Sequence, residues 1–236
     1  VLKEFSNGTE AVFQFKSKGL NSYMKFMKPN CFEDLVAANA LYRPGAMSSN
    51  AHVKYVHIKL GDEDVVYDHK LLKPVTKKTY GLYIYQEQIM QAVVAIGNLS
   101  MEEADVIRTT IKKFDRDKMK TFEAKFIKGA MRNGCDKSKA NFIWNKLLAF
   151  SGYGFNKSHS CSYSMLGYYC QWLKVHYPEE FFEVNLNFCE DDDVMNLINK
   201  LKDFNLQYSL PDINKSYKFV SRKKIIYWAL NKIKGV

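Results

Sequence analysis

Apolar positions recur three to four residues apart along most of the chain, the spacing of helices that each bury one face. Residues 17–28 and 32–41 read as two short helices separated by Pro29-Asn30. The pair stops at Tyr42-Arg43-Pro44-Gly45, where a Pro-Gly step breaks regular structure. Residues 52–60 return to the helical pattern, and 61–69 are acidic and turn-like. Residues 80–85 are rich in β-forming side chains and alternate weakly, which predicts a short strand, and 86–96 are helical again. Ser100 followed by Glu103 is a capping box. It opens a helix with Ala104, Ile107 and Ile111 on one face and Arg108, Lys112 and Arg116 on an adjacent stripe. Helix continues through residues 126–131 to a break at Gly134, and 139–150 form another amphipathic helix with Phe142, Ile143, Leu147 and Leu148 as its apolar positions. After the loop Gly152-Tyr153-Gly154-Phe155-Asn156, Ser158 opens a long helix to about His176. Tyr163, Leu166, Tyr169 and Leu173 are spaced for its core face. Pro178 starts the next helix, Asp191 to Asp193 form an acidic helix start before residues 194–204, and 217–230 are β-like. The pattern predicts a mainly α protein with minor β at both ends.

Composition narrows the class. With 236 residues, 47% hydrophobic and 25% charged, the chain can bury a real core as one large domain or two small ones. No apolar run approaches the roughly 18 residues of a membrane span. The first residues, VLKEFSNGTE, show no initiator Met, basic n-region or apolar h-region, so the expectation is a piece of a longer polypeptide without a signal peptide. Five cysteines, an odd number with no C-x-x-C pair, argue against a disulfide framework or zinc knuckle and fit a reducing cytoplasm. The five histidines have no metal-ligand spacing.

The net charge of +10 is concentrated. From Arg108 to Lys139 there are eleven basic and four acidic residues, a net +7. Such a segment suits a polyanion: phosphate, nucleotide or nucleic acid. Lysine supplies 30 of the 35 basic residues, however, alongside many Asn, Tyr, Phe and Ile. An A/T-rich genome would give the same bias, so charge alone does not decide for nucleic acid.

Seven segments in order carry a resemblance: AVFQFKSKGL from Ala11, ALYRPGAM from Ala40, TYGLYIYQEQIMQ from Thr79, EADVIRTTIKK from Glu103, SGYGFNKSHSCSY from Ser151, WLKVHYPEEF from Trp172 and PDIN from Pro211. Together they resemble the alpha subunit of bacterial DNA polymerase III, the C-family replicative polymerase, over nearly the whole chain. The resemblance implies a fragment of a larger α/β polymerase. Residues 1–39 correspond to the end of the palm, 40–189 to a helical fingers domain over the incoming nucleotide, and 190–236 to a connection toward a helix-hairpin-helix DNA-binding region. It implies a DNA-directed DNA polymerase (a nucleotidyltransferase) of the cytoplasm of a bacterial or phage-infected cell. Its partners would be primer–template DNA, dNTPs and, through regions outside this chain, other replisome subunits, with no membrane contact. The two Mg2+ ions of phosphoryl transfer would be held by palm carboxylates upstream of Val1, leaving this chain inactive alone. Asp115 and Asp117 read as solvated helix acids, not as a metal site.

The resemblance also selects site residues. Arg108 matches the first Arg of a paired-Arg segment near the triphosphate, where a guanidinium grips phosphate oxygens bidentately and Lys113 adds a point charge. The family's second Arg is Thr109 here and its Gly is Lys112, which implies a site rebuilt through Lys112 and Lys113, or a weakened one. Lys157, Ser158 and His159 run from the glycine loop into a helix start, whose backbone N–H groups favour an anion; the structural alternative is that Ser158 is only an N-cap. Arg43, on the rigid YRPG turn, is a candidate for the nucleotide or for a carboxylate such as Glu87, and Gln86 and Glu87 read as braces. Tyr153 and Phe155 are candidates to stack on a base or template. The competing reading is a stand-alone, non-catalytic, basic helical module that binds nucleic acid.

Overall fold

The computed structural model of the chain describes residues 1–113, 116–151 and 154–233; for residues 111–113, 116, 117 and 151 the backbone course alone is described. In chain order the elements are α1 (Lys18–Met27), α2 (Phe32–Leu41), α3 (Pro44–Met47), α4 (Ala51–Leu60), α5 (Lys73–Thr76), α6 (Gln86–Gly97), α7 (Met101–Lys113), α8 (Arg116–Arg132), α9 (Lys137–Ser151), α10 (Lys157–His176), α11 (Pro178–Phe188), α12 (Asp191–Lys200), β1 (Gln207–Ser209), β2 (Val220–Arg222) and β3 (Ile225–Tyr227). The fold is mainly helical, as the apolar spacing predicts, and the strands among the described residues all lie near the C-terminus. Packing divides the chain into two compact units: residues 31–163, and residues 1–30 with 164–236.

In the unit of residues 31–163, α6, α7, α8 and α9 enclose a core of Val93, Ile96, Ile107, Phe126, Trp144 and Leu147, all 1% exposed or less. The Phe126 and Trp144 rings pack with centroids 5.0 Å apart. The Ser100 capping box forms as predicted: Glu103 N–H donates to the Ser100 hydroxyl, and Ser100 N–H to the Glu103 carboxylate. Two expectations fail here. Phe142 is 58% exposed, because the inward face of α9 is Ala140, Ile143, Trp144 and Leu147. Residues 80–85 do not form a strand. The buried Gln88 carbonyl takes the N–H groups of Ile84 (2.7 Å) and Tyr85 (2.9 Å), leaving a single β-bridge between Tyr85 and Phe155. A local side-chain acceptor has replaced the ladder.

In the other unit, Phe182, Leu186, Leu197, Ile198, Phe219 and Ile226 form the core against a three-stranded sheet in the order β1-β3-β2. β1 pairs parallel and β2 antiparallel with β3. Asp191, Asp192 and Asp193 occupy the first turn of α12, as expected of acids at the positive end of a helix dipole.

The expected core face of α10 is also corrected. Leu166, Tyr169 and Leu173 are 49%, 55% and 46% exposed, while Ser160, Ser164, Gly167, Gln171 and Lys174 are buried. These buried positions also follow helical spacing, so periodicity alone could not choose between two stripes. Close approach decides. A Cβ on Gly167 would collide with the Phe15 ring, so only glycine allows that ring against the helix.

Candidate functional site

The start of α10 is the most densely tied segment among the predicted site residues. The Asn156 carboxamide oxygen accepts from the Ser158 hydroxyl (2.7 Å) and from His159 N–H (2.8 Å), so Asn156 rather than Ser158 caps the helix. Lys157 N–H lies 3.0 and 3.1 Å from the two Glu87 carboxylate oxygens. Gln86 binds the preceding loop twice: its backbone N–H donates to the Phe155 carbonyl (2.9 Å) and its side chain to the Gly154 carbonyl (2.8 Å). Phe155 N–H returns a bond to Ile84 (3.0 Å). Gln86 and Glu87 thus tie the start of α10 to the start of α6. The Ser160 hydroxyl, buried, donates to the Val36 carbonyl on α2 (2.6 Å).

Around this frame the side chains stack. The Arg43 guanidinium lies 4.6 Å from the Phe155 ring centroid, and its Nε donates to the Ala40 carbonyl at 2.7 Å. Phe155 and His159 have centroids 5.5 Å apart, and His159 and Tyr163 4.2 Å. The Lys157 ammonium lies 5.4 Å over Tyr85, a ring only 3% exposed. Thus Arg43, Phe155, Lys157, Ser158 and His159 share one surface, with His159, Lys157 and Ser158 exposed. Arg43 and Phe155 already cover each other's faces, so stacking on a further base is confined to what they leave open.

Arg108 holds a different contact. Its Nε and Nη2 both reach the same Asp105 oxygen, at 2.9 and 2.7 Å. Thr109, where the resemblance implies a second Arg, turns its hydroxyl back onto the Asp105 and Val106 carbonyls. The side chains of Lys112 and Lys113, and all of Tyr153, lie outside the described residues. Sequence reasoning missed Asp105, whose signal was the D-x-x-R spacing on one helix face. It also missed Asn156 as the cap, where Asn before a helical run was the available cue. The packing of Tyr85 beneath Lys157 had no such signal.

A profile described as bacterial DNA polymerase III alpha subunit finger domain matches residues 1–134. The chain belongs to that family. It is 39% identical over 231 residues to "DNA polymerase III subunit alpha" of Aquifex aeolicus, and 39% identical over 229 residues to the protein of the same name from Borreliella burgdorferi. The identity to the Campylobacter jejuni protein of that name is 38% over 238 residues. These alignments take in 97%, 96% and 98% of the chain but 20% of each relative, so the chain spans about a fifth of their length.

Among the described residues no three His, Cys, Asp or Glu side chains converge on one point. Asp191, the start of the acidic triplet, binds Lys232 at 2.6 Å. Among the described residues no helix is long and apolar enough to cross a membrane.

Proposed function

We propose that this chain serves as the fingers, with the adjoining palm end at residues 1–39 and the onward connection at 190–236, of a replicative DNA polymerase that binds an incoming dNTP and the template. The observation that carries the reading is the FNKSH segment. It places Lys157, Ser158 and His159 on an exposed helix start and locks their backbone through Gln86, Glu87 and Asn156. A preorganised cation is what phosphoryl transfer asks of a lid, since it stabilises charge without reorganising during the reaction; the Lys157 and His159 amides, which the sequence offered to an anion, are already taken by Glu87 and Asn156. Arg43 packs its guanidinium over the Phe155 ring of the same loop. Metal-bound chemistry would fall to palm carboxylates elsewhere in the longer polypeptide, and replisome partners to other regions of it; its setting would be the bacterial or phage-infected cytoplasm.

The test is steady-state primer extension by the full-length polymerase carrying Lys157→Ala. Removing a charge-assisted phosphate contact of about 1.5–3 kcal/mol lowers kcat/KM for dNTP roughly ten- to hundredfold, with primer–template affinity unchanged. An unchanged kcat/KM would refute the assignment. The 236-residue chain alone, with Mg2+, primer–template and all four dNTPs, is expected to show no extension.

A further inference from the structure

A groove far from the FNKSH segment in sequence carries charge that the proposed nucleotide site does not use. Helices α6 and α8 cross with backbones in contact: a Cβ on Gly129 would overlap the Gly97 carbonyl oxygen. The crossing leaves an open cavity of about 190 Å³ whose floor is this backbone pair. One wall is the turn after α6, where Asn98 sits in the left-handed region at φ 56°. The Asn133 side chain fixes that turn through the Ile96 carbonyl at 2.9 Å. The other wall is α8, which presents Lys125, Lys128 and Arg132.

These three cations are spaced i, i+3, i+7, so they stand on one helix face over about 10 Å of its axis. All three are exposed. Glu103 meets Lys125 at 2.8 Å, and its other oxygen is engaged by Ser100 N–H. Among the described residues neither Lys128 nor Arg132 has a carboxylate partner. The walls expose no aromatic side chain, and the one large apolar residue, Leu99, is 6% exposed. A protein partner would be anchored by buried aromatic and apolar contacts, which this groove lacks. A strand of nucleic acid held through its phosphates needs only a cationic rail and backbone that allows close approach.

We infer that the α6–α8 groove binds a DNA strand by its sugar–phosphate backbone, with Lys125, Lys128 and Arg132 as the phosphate contacts. This rests on the polymerase reading and deepens it by naming a second contact, to the template strand rather than to the incoming nucleotide. With no base-reading side chain in the groove, the contact is independent of sequence.

The test is fluorescence anisotropy of a labelled single-stranded oligonucleotide titrated with the 236-residue chain at about 50 to 200 mM salt. The groove variant is Lys125→Gln/Lys128→Gln/Arg132→Gln. The control is Lys16→Gln/Lys18→Gln/Lys25→Gln, which removes three exposed charges around α1. Losing three phosphate contacts on a single strand flattens the slope of log affinity against log salt by about 2. The groove variant is expected to show that change, with affinity down at least about tenfold at the lowest salt, while the control moves far less. Equal losses in both variants, an unchanged slope, or no binding by the unaltered chain would overturn the inference. Displacement by poly-glutamate at equal charge would overturn it too, by marking a generic anion surface. In the full-length polymerase the groove variant raises KM for primer–template and leaves KM for dNTP alone. Failure of the nucleotide-site reading appears at Lys157 and leaves this titration untouched, so the two outcomes are separable.

Discussion

Lys174 is the residue whose removal should most disturb the unit formed by residues 1–30 and 164–236. Its ammonium is buried, at 1% exposure, and its Nζ reaches the Gly8 carbonyl (3.3 Å), the Glu10 carbonyl (3.0 Å) and the Glu10 carboxylate (3.4 Å). The ammonium lies 6.0 and 5.6 Å from the Phe182 and Phe204 rings. Burial pushes its pKa down, and the Glu10 charge opposes that shift. Removing one member of a buried pair destabilises by about 3–5 kcal/mol. Glu10 is 21% exposed and keeps Lys200 at 3.7 Å, so the stranded carboxylate is partly screened and the lower end applies. Lys174→Met, which preserves the apolar stem, is therefore expected to cost about 3 kcal/mol. Lys174→Ala adds the cavity left by the stem, about 2 kcal/mol more. For a chain of this length the Met variant should lower Tm by about 6–12 °C. Urea unfolding followed by tryptophan fluorescence gives the free energies directly. A Lys174→Met chain within about 0.5 kcal/mol of the unaltered protein would refute the reasoning, as would simple additivity of Lys174→Met and Glu10→Gln.

Acid should release the same contact. Burial alone would raise the Glu10 carboxyl, but its own backbone N–H and the charges of Lys174 and Lys200 hold it below the ordinary value of 4.5. Its contribution is complete above pH 4.5 and is lost as pH falls through the lowered folded value, so the stability gap to Glu10→Gln should close there in urea titrations; a gap constant with pH would contradict this. Asp34→Ala should destabilise the unit of residues 31–163 by about 3–5 kcal/mol. Asp34 is fully buried, accepts the Tyr55 hydroxyl at 3.0 Å and faces the buried Lys59 ammonium at 3.5 Å, and denaturant midpoints measure the loss. Gly129→Ala drives a methyl into the Gly97 carbonyl and should cost at least about 1–3 kcal/mol through overpacking, read by thermal melting, whereas Ala124→Gly, on an exposed position of the same helix, should lose only about 1 kcal/mol.

The sequence declared helices well because their signals are local. Ser100 caps where the capping box predicts, and the Asp191 triplet opens α12. What it hid depends on partners distant along the chain. Gln88 replaces a strand at residues 80–85 with a side-chain acceptor, a choice that composition cannot display. On α10 two stripes share one period, and a chain-distant phenyl ring, Phe15, selects the stripe of small residues. At the candidate site, Lys157, Ser158 and His159 were legible as types, and Glu87 was legible as a brace. Its target, the Lys157 amide seventy residues on, was not. Arg108 was legible as a cation, but its ion pair was overlooked although both partners lie on the same helix.

That ion pair bears on how the proposed nucleotide site would work. Asp105 occupies the Nε–Nη2 edge of the Arg108 guanidinium, so a triphosphate taking that edge bidentately would compete with the carboxylate, and the net contribution would be a difference between two contacts. The pair is an i,i+3 contact with Asp105 52% exposed, and such surface pairs hold about 0.2–1 kcal/mol. Asp105→Asn removes the competitor while keeping the side chain's size. In the full-length polymerase it should therefore lower KM for dNTP by up to about fivefold, the equivalent of 1 kcal/mol, with kcat little changed. Arg108→Ala should move kcat/KM in the opposite direction, and adding Asp105→Asn to it should have no further effect, since no competition remains to be relieved. If Asp105→Asn instead raises KM as Arg108→Ala does, the carboxylate orients the guanidinium toward the nucleotide, and the competition argument fails. If neither variant alters the dNTP kinetics, the pair is a helix-surface contact, and Arg108 has no part in the site.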